Sequence, residues 1–336
     1  METADMNLPD IAAEIPDEAS AYLFLENLRW GGDPTECPHP ECKSDAGFYF
    51  LKPSNGKSRK TRTGAASQRR VWKCKTCRKQ FSVLTGSVFH GARIPVRTIV
   101  FVVFDVCSAK NGISAREVAR KYGITPRSAW YLLHRIRHAM ESGEPFWTDT
   151  TIVADETYFG GQFNRMNNKQ KKRAIEERGE VGARYGGDSK IPVVTLINRN
   201  TGESYSRVMN DVNRATLRAA IAKVSDPATI ELHTDEARAY TDISKEVRVH
   251  EKANHSKGQY VSKNGGGTNP VESFFSQLKR SIDGTHHQVS RVHLQRYVDQ
   301  FDFMYTTRQM TDGHRMQRLM GQVGGKRLTY RPIVDR

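Results

Sequence analysis

The chain has no apolar run approaching the roughly 20 residues that a membrane span requires, and its mean hydropathy is −0.64. It contains no internal repeat, which excludes the solenoid and propeller arrays. The opening residues, Met1-Glu-Thr-Ala-Asp, lack the basic start and apolar stretch of a secretion signal. A cytoplasmic protein with no membrane contact is the expectation. Cysteines are few, five in 336 residues, and a reducing compartment argues against disulfides among them.

Acid is scarce after the first residues. Residues 1–36 hold nine acids and one base, so a net charge of +15 for the whole chain leaves +23 on the rest. From Lys57 to Lys79 there are ten basic residues and no acid. A run of this kind is either a solvated loop or an arm that contacts phosphates, and the net charge favours the second. The natural polyanion for such a chain is nucleic acid.

At this length two or three cores are expected. The pattern divides into an acidic leader with a short helix (1–36), a cysteine-bearing module (37–92), a three-helix segment (93–146), a strand-and-helix region (147–310) and a C-terminal tail (311–336). A polar insertion at 164–187 interrupts the fourth of these.

Four cysteines form two knuckles, Cys37-x4-Cys42 and Cys74-x2-Cys77, separated by 31 residues. Two thiolate pairs at this spacing suit one tetrahedral structural Zn²⁺, a zinc ribbon. His39 is an alternative ligand to Cys37 or Cys42. Cys107 falls in an apolar helix and reads as a core thiol. Arg69, Arg70, Lys73 and Lys75 enter the second ribbon strand as candidate phosphate contacts.

The three-helix segment carries helix signals in order. Ser114 is an N-cap with Glu117 three residues on, and Gly123 ends that helix. Thr125 caps the next, with Pro126 in its first turn. This is a helix-turn-helix arrangement. Its last helix is expected to bring Arg127, Ser128, Tyr131 and Arg135 to a DNA groove.

Beyond residue 150 three acids stand out. Asp155 and Asp235 end apolar, strand-like runs, and Glu272 opens an amphipathic helix. Strand, hairpin, helix, strand, helix is the order of an RNase H-like fold, α/β with a mixed sheet flanked by helices. Its first and fourth strands are neighbours, which sets Asp155 beside Asp235. Carboxylates gathered in this way repel one another unless a divalent cation lies among them. A pair of Mg²⁺ (or Mn²⁺) ions serving phosphoryl transfer fits. Each acid also has a plainer reading; in particular, Asn269 as N-cap with Glu272 at N3 forms a capping box. Glu156 and Glu236, each directly after an Asp, are expected on the other face of their strands or in the next turn.

Five segments resemble one family: F-S-V-L-T-G-S-V-F-H (81–90), A-D-E-T-Y-F-G-G (154–161), H-T-D-E (233–236), N-P-V-E-S-F-F-S-Q-L-K-R (269–280) and H-H-Q-V-S-R-V-H-L-Q-R-Y (286–297). The chain resembles the ISXO-like DDE-type insertion-sequence transposases, which join a zinc ribbon to an RNase H-like domain. The resemblance implies Asp155 and Asp235 as the first two metal ligands. It implies a third that varies between Glu and Asn, so Glu272 and Asn269 both stand as candidates, with Glu272 favoured for its charge. Lys279, followed by Arg280, resembles the basic residue that relatives place on this helix to contact DNA. It further implies terminal inverted repeats and target DNA as partners, DNA cleavage with strand transfer, and a homo-oligomer on DNA. Two rivals remain on sequence alone: a DNA-binding regulator with an inert C-terminal domain, and another RNase H-like nuclease.

Overall fold

The computed structural model describes residues 6–52, 67–160, 167–169, 171–172, 175–176, 190–235, 238–253, 267–287 and 289–334. Most of the 164–187 insertion, and Glu236, lie outside them. The chain divides into two compact units, Met1–Glu141 together with Thr307–Arg336, and Ser142–Thr306. The segments read as leader, ribbon, helical module and tail therefore share one unit.

In the first unit, α1 (Leu8–Glu14) and α2 (Glu18–Trp30) precede the ribbon. Asp17 caps α2 by accepting the Ser20 N–H, and Gly31 ends it in the left-handed conformation at φ 75°. β1 (Phe48–Phe50), β2 (Trp72–Cys74) and β3 (Gln80–Phe81) form an antiparallel sheet in that order. Three helices follow: α3 (Val96–Ser108), α4 (Ala115–Tyr122) and α5 (Pro126–Met140). Ser114 and Thr125 cap the latter two, accepting the Glu117 and Ser128 N–H groups. Helix α3 has no cap of its own. Instead the Glu18 carboxylate, from α2, accepts the Val96 and Arg97 N–H groups at 2.6 and 3.0 Å.

The 311–336 stretch is not a loose tail. It contains α9 (Asp312–Gly321) and α10 (Arg331–Val334), and α9 lies against α2 and α3. The buried Arg315 clamps it, donating to the Cys107 carbonyl at 2.6 Å and to the Thr307 and Met310 carbonyls at 3.1 Å.

The second unit is built on a five-stranded sheet of order β6-β5-β4-β7-β8. The strands are β4 (Thr151–Phe159), β5 (Ile191–Asn198), β6 (Ser204–Val208), β7 (Glu231–Thr234) and β8 (Val249–Lys252). β4, β5 and β6 pair antiparallel, whereas β4, β7 and β8 pair parallel. Every residue of β5 is buried, as befits a strand covered on both faces. One face packs α7 (Asn269–Arg280) and α8 (Arg291–Thr306) through Val153, Val193, Val271, Phe274, Leu278 and Phe301. The other packs α6 (Arg214–Val224) through Ile152, Ala154, Leu196, Leu217, Ile221 and Leu232. This is the RNase H-like mixed sheet that the element order predicts.

Two points differ from the sequence reading. Strand β8 was not foreseen, because Val-His-Glu-Lys at a sheet edge shows little hydrophobic pattern. Asn269 is the first residue of α7, not its cap; Thr268 holds the cap position, and its side chain makes no capping hydrogen bond.

Candidate functional site

Two sites are built, one in each unit. In the second unit, β4 and β7 run parallel with Thr151 beside Glu231 and Val153 beside His233. That register, carried two residues further, sets Asp235 level with Asp155. Alternation along β4 does the rest. Val153 faces α7, so Asp155 does too; Ile152 and Ala154 face α6, and Glu156 goes with them. The Tyr240 hydroxyl holds Glu156 there, donating to its Oε2 at 2.9 Å. Adjacent acids are thus sorted onto opposite faces.

Glu272 comes from the first turn of α7, on the same face as Asp155. The fully buried Thr268 fixes it: its Oγ1 donates to Glu272 Oε1 at 3.0 Å. Burial, above all, pushes the Asp155 carboxyl up to about 7. The Glu156 N–H opposes this, while the negative charges of Glu156, Asp235 and Glu272 reinforce it. Asp155 therefore feels both of the other acids proposed to join it. Burial also raises Glu156, against the pull of the Tyr240 hydroxyl. The three carboxylates are looser than the four thiols described below, which alone among the described residues gather their ligand atoms within 4.8 Å. A mutually repelling, half-buried carboxylate set of this kind fits divalent cations.

Asp235 has its own supports. The Thr234 hydroxyl donates to the Asp235 carbonyl at 2.8 Å, and His250 Nε2 lies 2.9 Å from that hydroxyl. Burial holds His250 down at about 4, with Lys252 and His233 adding to the effect. His233 is buried, with Nε2 2.7 Å from Glu231 Oε1 and Nδ1 3.3 Å from Arg199. Sequence reasoning passed over Thr268, Tyr240 and His250. Only Thr268 had a usable signal, its i, i+4 spacing to Glu272. Asn269 is exposed at the start of α7, and Lys279 and Arg280 are exposed in its last turn. Lys279 is seven residues from Glu272, on the same side of the helix, about 10 Å along its axis.

In the first unit, Cys37, Cys42, Cys74 and Cys77 bring their sulfurs within 4.8 Å of one another. Cys37 Sγ is 3.8 Å from Cys77 Sγ, and Cys42 Sγ is 3.9 Å from Cys74 Sγ. Four thiolates about 2.3 Å from one Zn²⁺ stand about 3.8 Å apart, so the cluster fits zinc. Burial pushes the Cys37 thiol up to about 12, with the neighbouring thiols adding to it. At Cys74, burial is outweighed by the Cys77 and Thr76 N–H groups, which bring it down to about 7. His39 is not in the cluster; its Nε2 lies 3.4 Å from the Gln80 carbonyl and its ring stands edge-on to Phe81.

Several expected DNA contacts are turned inward. Arg70 Nε donates to the buried Glu26 at 2.7 Å, Trp72 Nε1 donates to the same carboxylate at 3.0 Å, and the Arg70 guanidinium lies over Phe50. Arg135 is buried and donates to the His90 carbonyl at 2.8 Å, and Tyr131 donates to the Leu328 carbonyl at 2.7 Å. The Ser128 hydroxyl accepts from the Thr125 hydroxyl at 3.0 Å within the cap. Arg69, Lys75 and Arg127 remain exposed, and Lys73 is half-buried. The helix expected to read a groove is therefore covered along one ridge by its own chain.

Comparison with known proteins agrees with this architecture. Residues 149–306 match the ISXO2-like transposase domain, and residues 16–80 match the transposase zinc-ribbon domain. An uncharacterized protein in transposable element ISH50 of Halobacterium salinarum is 25% identical over 232 residues, covering 68% of this chain and 76% of that protein. A simian T-cell lymphotropic virus intasome, solved with PP2A regulatory subunit B56 gamma, overlaps at 10% identity and a TM-score of 0.28. It covers 59% of this chain and 64% of that one, a likeness too slight to bear on the chemistry. Among the described residues no helix is long and apolar enough to cross a membrane.

Proposed function

We propose that this chain, which matches the ISXO2-like transposase domain over 149–306 and the transposase zinc ribbon over 16–80, cuts and joins DNA at the ends of an insertion sequence. The observation that carries the reading is the parallel register of β4 and β7, which carries Asp235, just past the end of β7, level with Asp155, together with the charges of Asp235 and Glu272 felt at Asp155. Asp155, Asp235 and Glu272 hold the divalent cations, Mg²⁺ or Mn²⁺. When bound, such a pair lowers the pKa of the attacking water or 3′-hydroxyl and stabilises the leaving 3′ oxygen.

The chain's own residues supply position and charge, which is most of what phosphoryl transfer needs. Thr268 aims the Glu272 carboxylate. Tyr240 keeps Glu156 on the far face, so its carboxylate stays out of the metal-holding set although its charge is felt at Asp155. Lys279 and Arg280 contact the DNA backbone from the exposed end of α7. The four cysteines hold one structural Zn²⁺, and the unit around it binds the terminal inverted repeats. The active species is a homo-oligomer that pairs two DNA ends.

The test is strand transfer of a labelled oligonucleotide bearing the terminal repeat, with Mg²⁺. Joined product from the wild type, lost in Glu272→Gln and only reduced in Asn269→Ala, is expected. Loss mainly in Asn269→Ala moves the third ligand to Asn269. Specific binding with neither cleavage nor joining overturns the transposase reading in favour of a regulator.

A further inference from the structure

One ridge of α5 and the C-terminal segment 323–331 are matched along their length. The ridge is Arg127, Tyr131, Arg135 and Ala139, spaced four apart and so stacked on one side of the helix. The Arg127 guanidinium lies over the Tyr330 ring at 4.3 Å, and Tyr131 stands edge-on to Tyr330 at 5.4 Å. Tyr131 Oη reaches the Leu328 carbonyl at 2.7 Å. Lys326 Nζ donates to the Ala139 carbonyl at 2.9 Å and also to that of Glu141, where the helix dipole favours a cation. The segment therefore runs antiparallel to α5. Its start is pinned by Val88 N–H to the Val323 carbonyl and Gly325 N–H to the Gly86 carbonyl, both at 2.9 Å. Gly86, at φ 67°, admits no side chain: a Cβ there meets the Pro38 carbonyl oxygen at 2.7 Å.

Side chains alternate along this stretch. Leu328 is buried and Lys326 and Tyr330 are half-buried, turned to α5, while Arg327, Thr329 and Arg331 are exposed. Residues 323–334 contain three bases and no acid. No described carboxylate forms an ion pair with Arg127, Arg327 or Arg331. Burial first, and then Arg327, Arg135, His39 and Arg69, hold the His90 imidazole below its usual value. Basic groups from the ribbon, α5 and the segment thus converge around His90.

We propose that segment 326–331 is part of the DNA-binding surface of this unit. Arg327 and Arg331, with Arg127 steadied on Tyr330, contact duplex phosphates, and the 127–139 ridge of α5 supports the segment instead of entering a groove. Guanidinium groups suit this task because their planar fork matches phosphate oxygens. The inference rests on the transposase reading only in naming DNA as the polyanion.

The experiment is equilibrium binding of the full-length, zinc-loaded chain to a labelled terminal-repeat duplex and an unrelated duplex across a salt series. Arg327→Gln/Arg331→Gln and Tyr330→Ala are compared with the wild type, with unfolding temperature and zinc content confirmed for each. The double variant is expected to bind about tenfold more weakly, with a log K against log salt slope shallower by about one per arginine. Tyr330→Ala is expected to weaken binding as well. Unchanged affinity and slope in a stable double variant overturns the proposal. So does tighter binding by Tyr330→Ala, the result a removable cover gives. A wild type that binds neither duplex overturns the DNA reading itself, and the segment's role with it.

Discussion

Thr268 and Glu272 are joined one helical turn apart: a fully buried hydroxyl donates at 3.0 Å to a carboxylate of the proposed metal site. The hydrogen bond fixes the acid's rotamer in the first turn of a helix whose cap residue, Thr268, makes no side-chain cap bond. Thr268→Val keeps the shape and removes the donor. Strand transfer is expected to fall about tenfold, the effect of roughly 1.4 kcal/mol, with a higher metal concentration needed for half-maximal rate. Thr268→Ser restores both. A metal titration of the three proteins decides, and an unchanged half-maximal concentration in Thr268→Val removes Thr268 from a positioning role.

Chelation is expected to unfold the ribbon. Its core is small, with Cys37, Trp72, Cys74 and Phe81 buried, so metal binding supplies much of its folding free energy. One zinc per chain, a sharp loss of near-ultraviolet circular dichroism on chelation, and the same loss in Cys74→Ser are expected. His39→Ala keeps its zinc. Zinc lost from His39→Ala reassigns a ligand.

Glu26 ties the leader helix to the ribbon. It is buried, and both its oxygens are used, by Arg70 and by the Trp72 indole. Glu26→Ala strands a buried N–H and a guanidinium, at about 3 kcal/mol. Denaturant unfolding of the zinc-loaded chain measures this. A loss under about 1 kcal/mol shows that the network stabilises little.

Asp302 gives the second unit a distinctive pH dependence. Burial pushes its carboxyl up to about 6, against donors from Ser206 and Ser204 and the charge of Arg207. The folded state then holds the proton more tightly than the unfolded chain. Its contribution is fully present below the ordinary value of 3.8 and is lost as pH rises through about 6. The difference in unfolding free energy between wild type and Asp302→Asn is expected to shift against the wild type by up to about 3 kcal/mol between pH 4 and pH 7. A flat difference contradicts the assignment.

What was legible in the sequence was local. The runs before Asp155 and Asp235 announce strands because a strand buried on both faces must be apolar throughout. Thr125-Pro126 announces the start of α5 because a cap and a fixed φ suffice. What was missed depends on partners far along the chain. Nothing near Tyr131 foretells Leu328, and nothing near Arg70 foretells Glu26. Four residues as polar as Val249–Lys252 become a strand only because β7 lends them an edge. The Asn269 capping box failed by one position: Thr268, already buried, took the cap site and spent its hydroxyl on Glu272.

The division of the chain also sets an order of synthesis. The first unit needs residues 307–334, including the Arg315 clamp, yet the whole second unit is translated in between. At bacterial-like speeds of about 5–20 residues per second, α3 and α5 wait roughly ten to thirty seconds for their last partners. A nascent chain in that interval shows a bare α5 ridge and an unclamped α3. The first unit is thus completed only after the second unit has been made, so translation itself keeps an unfinished chain from presenting the proposed DNA-binding surface.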